Sequence, residues 1–238
     1  MGRDAAGRAS FLPLRGVSLS SLSAVRARLT AFARYLGLGE RPVRSRIDSS
    51  SSLAEFIDTR ASHVAQTALY GYLKTRAGTR FRELFESDEF LVSINIAKWQ
   101  VWAAAVADLA LFAGGRLADR TGADNAAVAA FMAAVVAGIF DRQGRPDDVG
   151  PEFERSTAEV VELVRGSDFT AIGDDESAFA QSPEALVRWA PVVDELKQLD
   201  AEIVRNSVRF RWIEVRRDLR EMLDAAAVMV SARGVGGR

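Results

Sequence analysis

Apolar side chains recur at three- and four-residue spacing along nearly the whole chain, and most of these stretches are bounded by residues that start or stop helices. Over 18–38, Leu22, Val25, Leu29, Phe32 and Leu36 line one face, with Arg26, Arg28 and Arg34 around them, until Gly37 and Gly39 end the pattern. A polar stretch with Pro42 and the serines at 49–52 reads as a linker. Ser52 and Glu55 make a capping box, so a long helix is expected from Leu53 to at least Lys74, with Gly78 a kink or break before Phe81, Leu84 and Phe85 resume the face.

Ser87 is the expected cap of a third helix over 88–112, ended by Gly114 and Gly115. Asp124 or Asn125 starts an alanine-rich fourth helix, in which Ala126, Ala130, Ala133, Ala134 and Ala137 would admit a close neighbour. An acidic helix over 151–164 has Phe153, Val160, Val161 and Val164 as its apolar side, a loop follows over 167–181, and Ser182-Pro183-Glu184 starts the next helix with proline at its first position.

From 191 to 231 no Gly or Pro interrupts except Pro191 itself. Val192, Leu196, Leu199, Ile203, Phe210 and Ile213 form an a/d seam that contains Asn206, and Val204, Val208, Val215, Leu219 and Leu223 form a second line that widens the buried face. Such a helix is expected to pack against two neighbours instead of forming a simple dimeric coil, although it still offers a route to a homo-oligomer. Strand-like alternation and a 20–50-residue repeat are both missing. The expected fold is all-α: a helical bundle of five or six main helices over 52–232, with a basic N-terminal arm over 1–51 and a frayed tail over 233–238.

Composition narrows this picture. The 238 residues are 48% hydrophobic, enough for one large domain. With no cysteine there is no disulfide, thiolate nucleophile or cysteine-ligated metal, which suits a reducing compartment, the cytoplasm by default. All but three of the 31 basic residues are arginine, and with the heavy use of alanine this fits a GC-rich bacterial genome, so arginine counts alone carry little weight.

The net charge of −1 argues against a whole-chain polyanion binder, but the charge is unevenly placed. Residues 1–47 hold nine arginines against Asp4 and Glu40, whereas 147–176 hold ten acids against Arg155 and Arg165. The basic front shares its composition with organellar transit peptides, and Arg3, Arg8 and Arg15 interrupt any secretory h-region. The apolar runs at 126–140 and 99–115 read as bundle helices, the first short for a bilayer and the second carrying Asp108 at its centre.

His63 is the one histidine, and it shares a helix face with Thr59, Gln66, Thr67 and Tyr70. A hydrolase would have to use His63, with Thr67 and Tyr70 beside it; the plainer expectation is a half-buried histidine hydrogen-bonded to Thr or Tyr. Ser62 points about 100° away from His63 on a helix and cannot serve as its nucleophile. There is no G-x-S-x-G elbow, no Glu-x-x-His pair, no EF-hand loop and no phosphate-binding glycine motif, so no cofactor and no metal are expected.

Two interaction candidates remain. Arg205, Arg209, Arg216 and Arg220, with Trp212 among them, form a stripe suited to an anionic partner through forked hydrogen bonds and stacking; alternatively Glu202, Glu214 and Asp218 neutralise it, or the acidic segment docks there. The arm, through Arg26, Arg28 and Arg34, suits a membrane surface, a nucleic acid or simple packing, although Phe11, Phe32 and Tyr35 are few aromatics for nucleic acid. The expected function is a non-catalytic interaction protein, such as an adaptor, assembly factor or regulatory subunit. It would engage an acidic protein or an anionic membrane surface and lie in the cytoplasm or peripheral to the membrane. A hydrolase around His63 and a nucleic-acid-binding protein are the alternatives.

Overall fold

The computed structural model describes residues 45–235, which lie within a compact unit beginning at Pro42. Arg26, Arg28, Arg34 and the helix expected over 18–38 lie outside the described residues. The described unit is an all-α bundle with seven α-helices: α1 Ser50–Ala77, α2 Asp88–Thr121, α3 Asn125–Gln143, α4 Phe153–Arg165, α5 Gln181–Trp189, α6 Asp194–Met222 and α7 Ala225–Val235. A 3₁₀ helix, Gly78–Glu86, joins α1 to α2, and no strand occurs among the described residues.

Helix α1 begins earlier than the Ser52–Glu55 pattern suggests. Ser49 is its N-cap, with its Oγ accepting from the Ser52 N–H and the Ser52 Oγ accepting from the Ser49 N–H. Serine thus takes both places of the capping box, and because four consecutive serines can each cap, the tertiary anchor before them decides. That anchor is Ile47, buried in what the sequence reads as linker: its N–H donates to Met222 O at 2.9 Å, and its carbonyl accepts from the Asp224 N–H at 2.8 Å.

The 34-residue α2 is the central helix, touching all six others, and it does not stop at Gly114 and Gly115. A Cβ on Gly114 would lie 2.2 Å from the Phe169 ring, and one on Gly115 would lie 2.8 Å from Ile172. The two glycines form a notch that seats the 166–180 loop, and α2 ends instead at Gly122, whose φ of +63° is the left-handed conformation glycine allows. Phe169 and Phe179 from that loop are both buried, and Phe179 packs between Phe112 and Trp212 at 5.3 and 4.9 Å.

The small residues of α3 do not mark a close helix contact: Ala126, Ala130 and Ala134 are exposed, Ala137 is half-buried, and only Ala133 of that set is in the core. By length and composition α2 and α3 could each cross a membrane; the apolar stretch of α2 is almost wholly buried inside the protein, and that of α3 less than half.

Helix α5 starts at Gln181, one residue before Ser182, without a side-chain cap of its own. Asp108, fully buried at the middle of α2, supplies the cap from another helix. Its carboxylate accepts from Gln181 N–H at 2.8 Å, Ser182 N–H at 2.9 Å and Ser182 Oγ at 2.5 Å, and Trp212 Nε1 donates in turn to Ser182 Oγ at 3.1 Å. These bonds satisfy amides that a helix start leaves open.

The expected single helix over 191–231 is two helices. The Ile47 pairing interrupts it at Leu223, Arg120 donates to the freed carbonyls of Arg220 and Leu223, and Asp224 caps α7 by accepting from the Ala227 N–H.

Candidate interaction surface

Helix α6 buries one line and exposes another. Val204, Val208, Trp212, Val215 and Leu219 face α1 and α5, flanked by two buried carboxylates. Asp200 is paired with Arg76 and accepts from the Tyr72 hydroxyl at 3.0 Å, and Asp218 accepts from Arg60 at 2.9 Å. Arg76 holds the Asp200 carboxyl below the ordinary range, while burial and the hydrogen bond to Asp200 push the Tyr72 hydroxyl up to about 12. Both carboxylates therefore clamp α6 to α1, and they set its rotation about its own axis.

That rotation turns the a/d seam outward, against the expectation that the seam and the second apolar line are both buried. Leu199, Ile203 and Phe210 are 77%, 73% and 74% exposed and Ile213 55%, with Asn206 exposed between them and Leu196 half-buried at one end. Leu199, Ile203, Phe210 and Ile213 make up four of the eight large apolar side chains exposed among the described residues, all on one face of one helix. From Leu196 to Ile213 the ridge is about 26 Å long at the helical rise of 1.5 Å per residue.

The arginine stripe is largely turned back onto the protein. Trp212 is 1% exposed and part of the core, so it is not a stacking platform. Arg205 donates to Glu184 at 2.6 and 3.1 Å and to Glu202 at 3.0 Å, and the Glu184 hydrogen bond raises its pKa. Arg216 donates to the Asp174 carbonyl at 3.0 Å and lies over the Phe112 and Phe179 rings, and Arg220 holds the Asp174 carboxylate at 3.1 Å. The acidic segment reaches the stripe through Asp174. Arg209 is different: it points along the ridge and donates to Asn206 Oδ1 at 3.3 Å.

His63, Thr67 and Tyr70 all lie on α1. His63 is exposed, desolvation together with Arg60 and Arg211 lowers its pKa, and no side chain hydrogen-bonds its ring among the described residues. The Thr67 hydroxyl donates to the His63 carbonyl at 2.8 Å, within its own helix. Tyr70 stacks on Phe85 with centroids 6.4 Å apart, and burial raises its hydroxyl pKa.

Two surface clefts, one at the α6–α7 break beside Arg46 and Arg120 and one at the Gly115 notch beside Arg116 and Asp174, are lined by none of these three. No cluster of three metal-ligating side chains occurs among the described residues. The outward ridge was missed in the sequence because both lines on α6 are apolar; the signal was there in Trp212, which falls on the Val204–Leu219 line at four-residue spacing and marks it as the core side. The chain matches no family model, no curated protein and no solved structure.

Proposed function

We propose that the chain is a non-catalytic interaction protein, an adaptor, assembly factor or regulatory subunit, that docks a partner helix on the α6 ridge. The carrying observation is the heptad-spaced exposure of Leu199, Ile203, Phe210 and Ile213 on one face of a helix whose other face is anchored in the core. A ridge one side chain wide and about 26 Å long suits a helix laid along it better than a flat bilayer or a phosphodiester backbone. On one edge of the ridge Arg209 offers attraction for an acidic group and the exposed Glu202 for a basic one, whereas Arg205, Arg216 and Arg220 already hold carboxylates or a carbonyl of the same chain. The cysteine-free composition suits a cytoplasmic setting.

The test compares proteins captured from native extract by the intact chain and by an Ile203→Asp/Phe210→Asp chain, with thermal melts confirming that both are folded. The expected outcome is loss of specific partners from the variant. Identical partners at identical yield would remove the ridge from any docking role.

A further inference from the structure

We infer that the occupant of the ridge is α6 of a second copy of this chain, laid antiparallel across it. The inference rests on the docking role proposed for the ridge and names its partner.

The seam steps 3, 4, 3, 4, 3 through Leu196, Leu199, Ile203, Asn206, Phe210 and Ile213, the spacing at which two helices mesh side chains over several layers. Reversing one copy on a two-fold axis sets Leu196 against the partner's Ile213, Leu199 against the partner's Phe210, and Ile203 against the partner's Asn206. Every layer then holds at least one large apolar residue. The two asparagines fall in the two central layers, one on each side of the axis; a one-heptad slip would separate them, so they specify register.

Charge and the placing of the asparagines together choose the direction. The edge one residue before each a position carries Glu195, Glu202, Arg209 and Arg216, changing sign halfway along the helix. In an antiparallel pair this edge faces itself reversed, so Glu202 meets the partner's Arg209 twice, and Glu195 approaches the partner's Arg216. Glu202 is exposed and its bond to Arg205 is a surface i,i+3 contact, so it is free to turn across; Arg216 is held by Asp174, which leaves the central Glu202–Arg209 pairs as the effective ones. A parallel pair would gain Arg209 against the partner's Glu214, but it would leave Glu202 opposite the uncharged Ser207 and would set the two asparagines together in one layer with no apolar residue. A partner of one charge sign would meet both Glu202 and Arg209 on one edge, whereas α6 reversed matches each.

The test is sedimentation equilibrium of the full chain up to about 1 mM, a range that captures weak association. The expected result is a reversible approach to twice the 25.9 kDa monomer mass. Phe210→Asp should abolish it, and Glu202→Arg or Arg209→Glu alone should each raise Kd roughly tenfold, since two symmetric pairs turn repulsive. Combining Glu202→Arg with Arg209→Glu should restore the dimer; in a parallel pair Arg209→Glu would still oppose Glu214 and no rescue would occur. Thermal melts of each variant confirm the fold.

A monomer throughout the range, whose captured partners are still lost on Phe210→Asp, overturns the self-pairing but leaves the docking role. A monomer in which a Phe210→Cys thiol alkylates as slowly as a core residue puts another segment of the same chain on the ridge and also overturns it. A dimer without charge-swap rescue overturns the antiparallel arrangement, and a monomer with unchanged partners overturns both readings.

Discussion

Glycine inside a helix ordinarily costs up to about 1 kcal/mol relative to alanine, and at Gly138 the usual rule should hold, because a Cβ there meets nothing closer than the end of Arg142 at 3.6 Å. At Gly114 the same methyl would sit 2.2 Å from the Phe169 ring, which is 1% exposed and enclosed on its other sides. Gly114→Ala should therefore lower stability by roughly 1–2 kcal/mol, overpacking outweighing helix propensity, whereas Gly138→Ala should raise it slightly. Urea unfolding of the two variants decides this, and equal effects would mean that Phe169 can move aside.

Asp108 invites a pH experiment. Burial pushes its carboxyl up from the ordinary 3.8 to about 7, against the downward pull of the bonds from Ser182, Gln181 and Ala180. Between those values the folded chain keeps a proton that the unfolded chain has released, so the stability it contributes is complete below 3.8 and falls as pH rises to about 7. His63, with its pKa lowered from 6.5, works in the opposite sense, adding stability as pH rises towards 6.5. The difference between wild type and Asp108→Asn separates the two: the wild type should lose more stability than the variant from pH 5 to pH 8. Parallel melting curves across that range would show Asp108 to be ionised in the folded state throughout.

For the elements, α6 is the informative case because its two apolar lines have different standing. Leu219 is fully buried and Phe210 is 74% exposed, so Leu219→Ala should cost about 2–4 kcal/mol, while Phe210→Ala, measured at low protein concentration, should stay within about 0.5 kcal/mol. Similar costs would mean that the helix is rotated from the orientation described. Periodicity alone does not separate the two lines. What separates them is the pairing of Asp200 with Arg76 and of Asp218 with Arg60, matches across more than a hundred residues that no local pattern carries. The same reason hides the break at Leu223, where the interrupting residue is Ile47, and the continuation of α2 through Gly114, where the notch is filled by Phe169. Local signals did locate the helix starts at Ser87 and Asp124 and the end of α1 at Gly78, where the cap lies within the element itself.

In the molecule as a whole, the all-α class was legible because nearly every segment carries the same period, and the described unit has that fold. The candidate site was legible only in its parts. The seam residues stand out in the sequence, but whether a seam faces the core or the solvent depends on how much partner surface the rest of the fold supplies, and α1 and α5 cover only the other side. The arginine stripe shows the converse: its spacing is real, yet the fold brings Glu184 and Asp174 to it and closes most of it.

The Ile47 pairing joins the two ends of the described unit. Arg46 is paired with Asp224, and the Ser50 N–H donates to Ser231 Oγ at 3.1 Å, so residues 45–50 and 222–231 lie side by side. Ends that meet in this way make the bundle a ring in all but the covalent sense. A short linker between them, with a new opening at the exposed residues Gly144 and Arg145, would reorder the helices along the chain while leaving each one against its present neighbours.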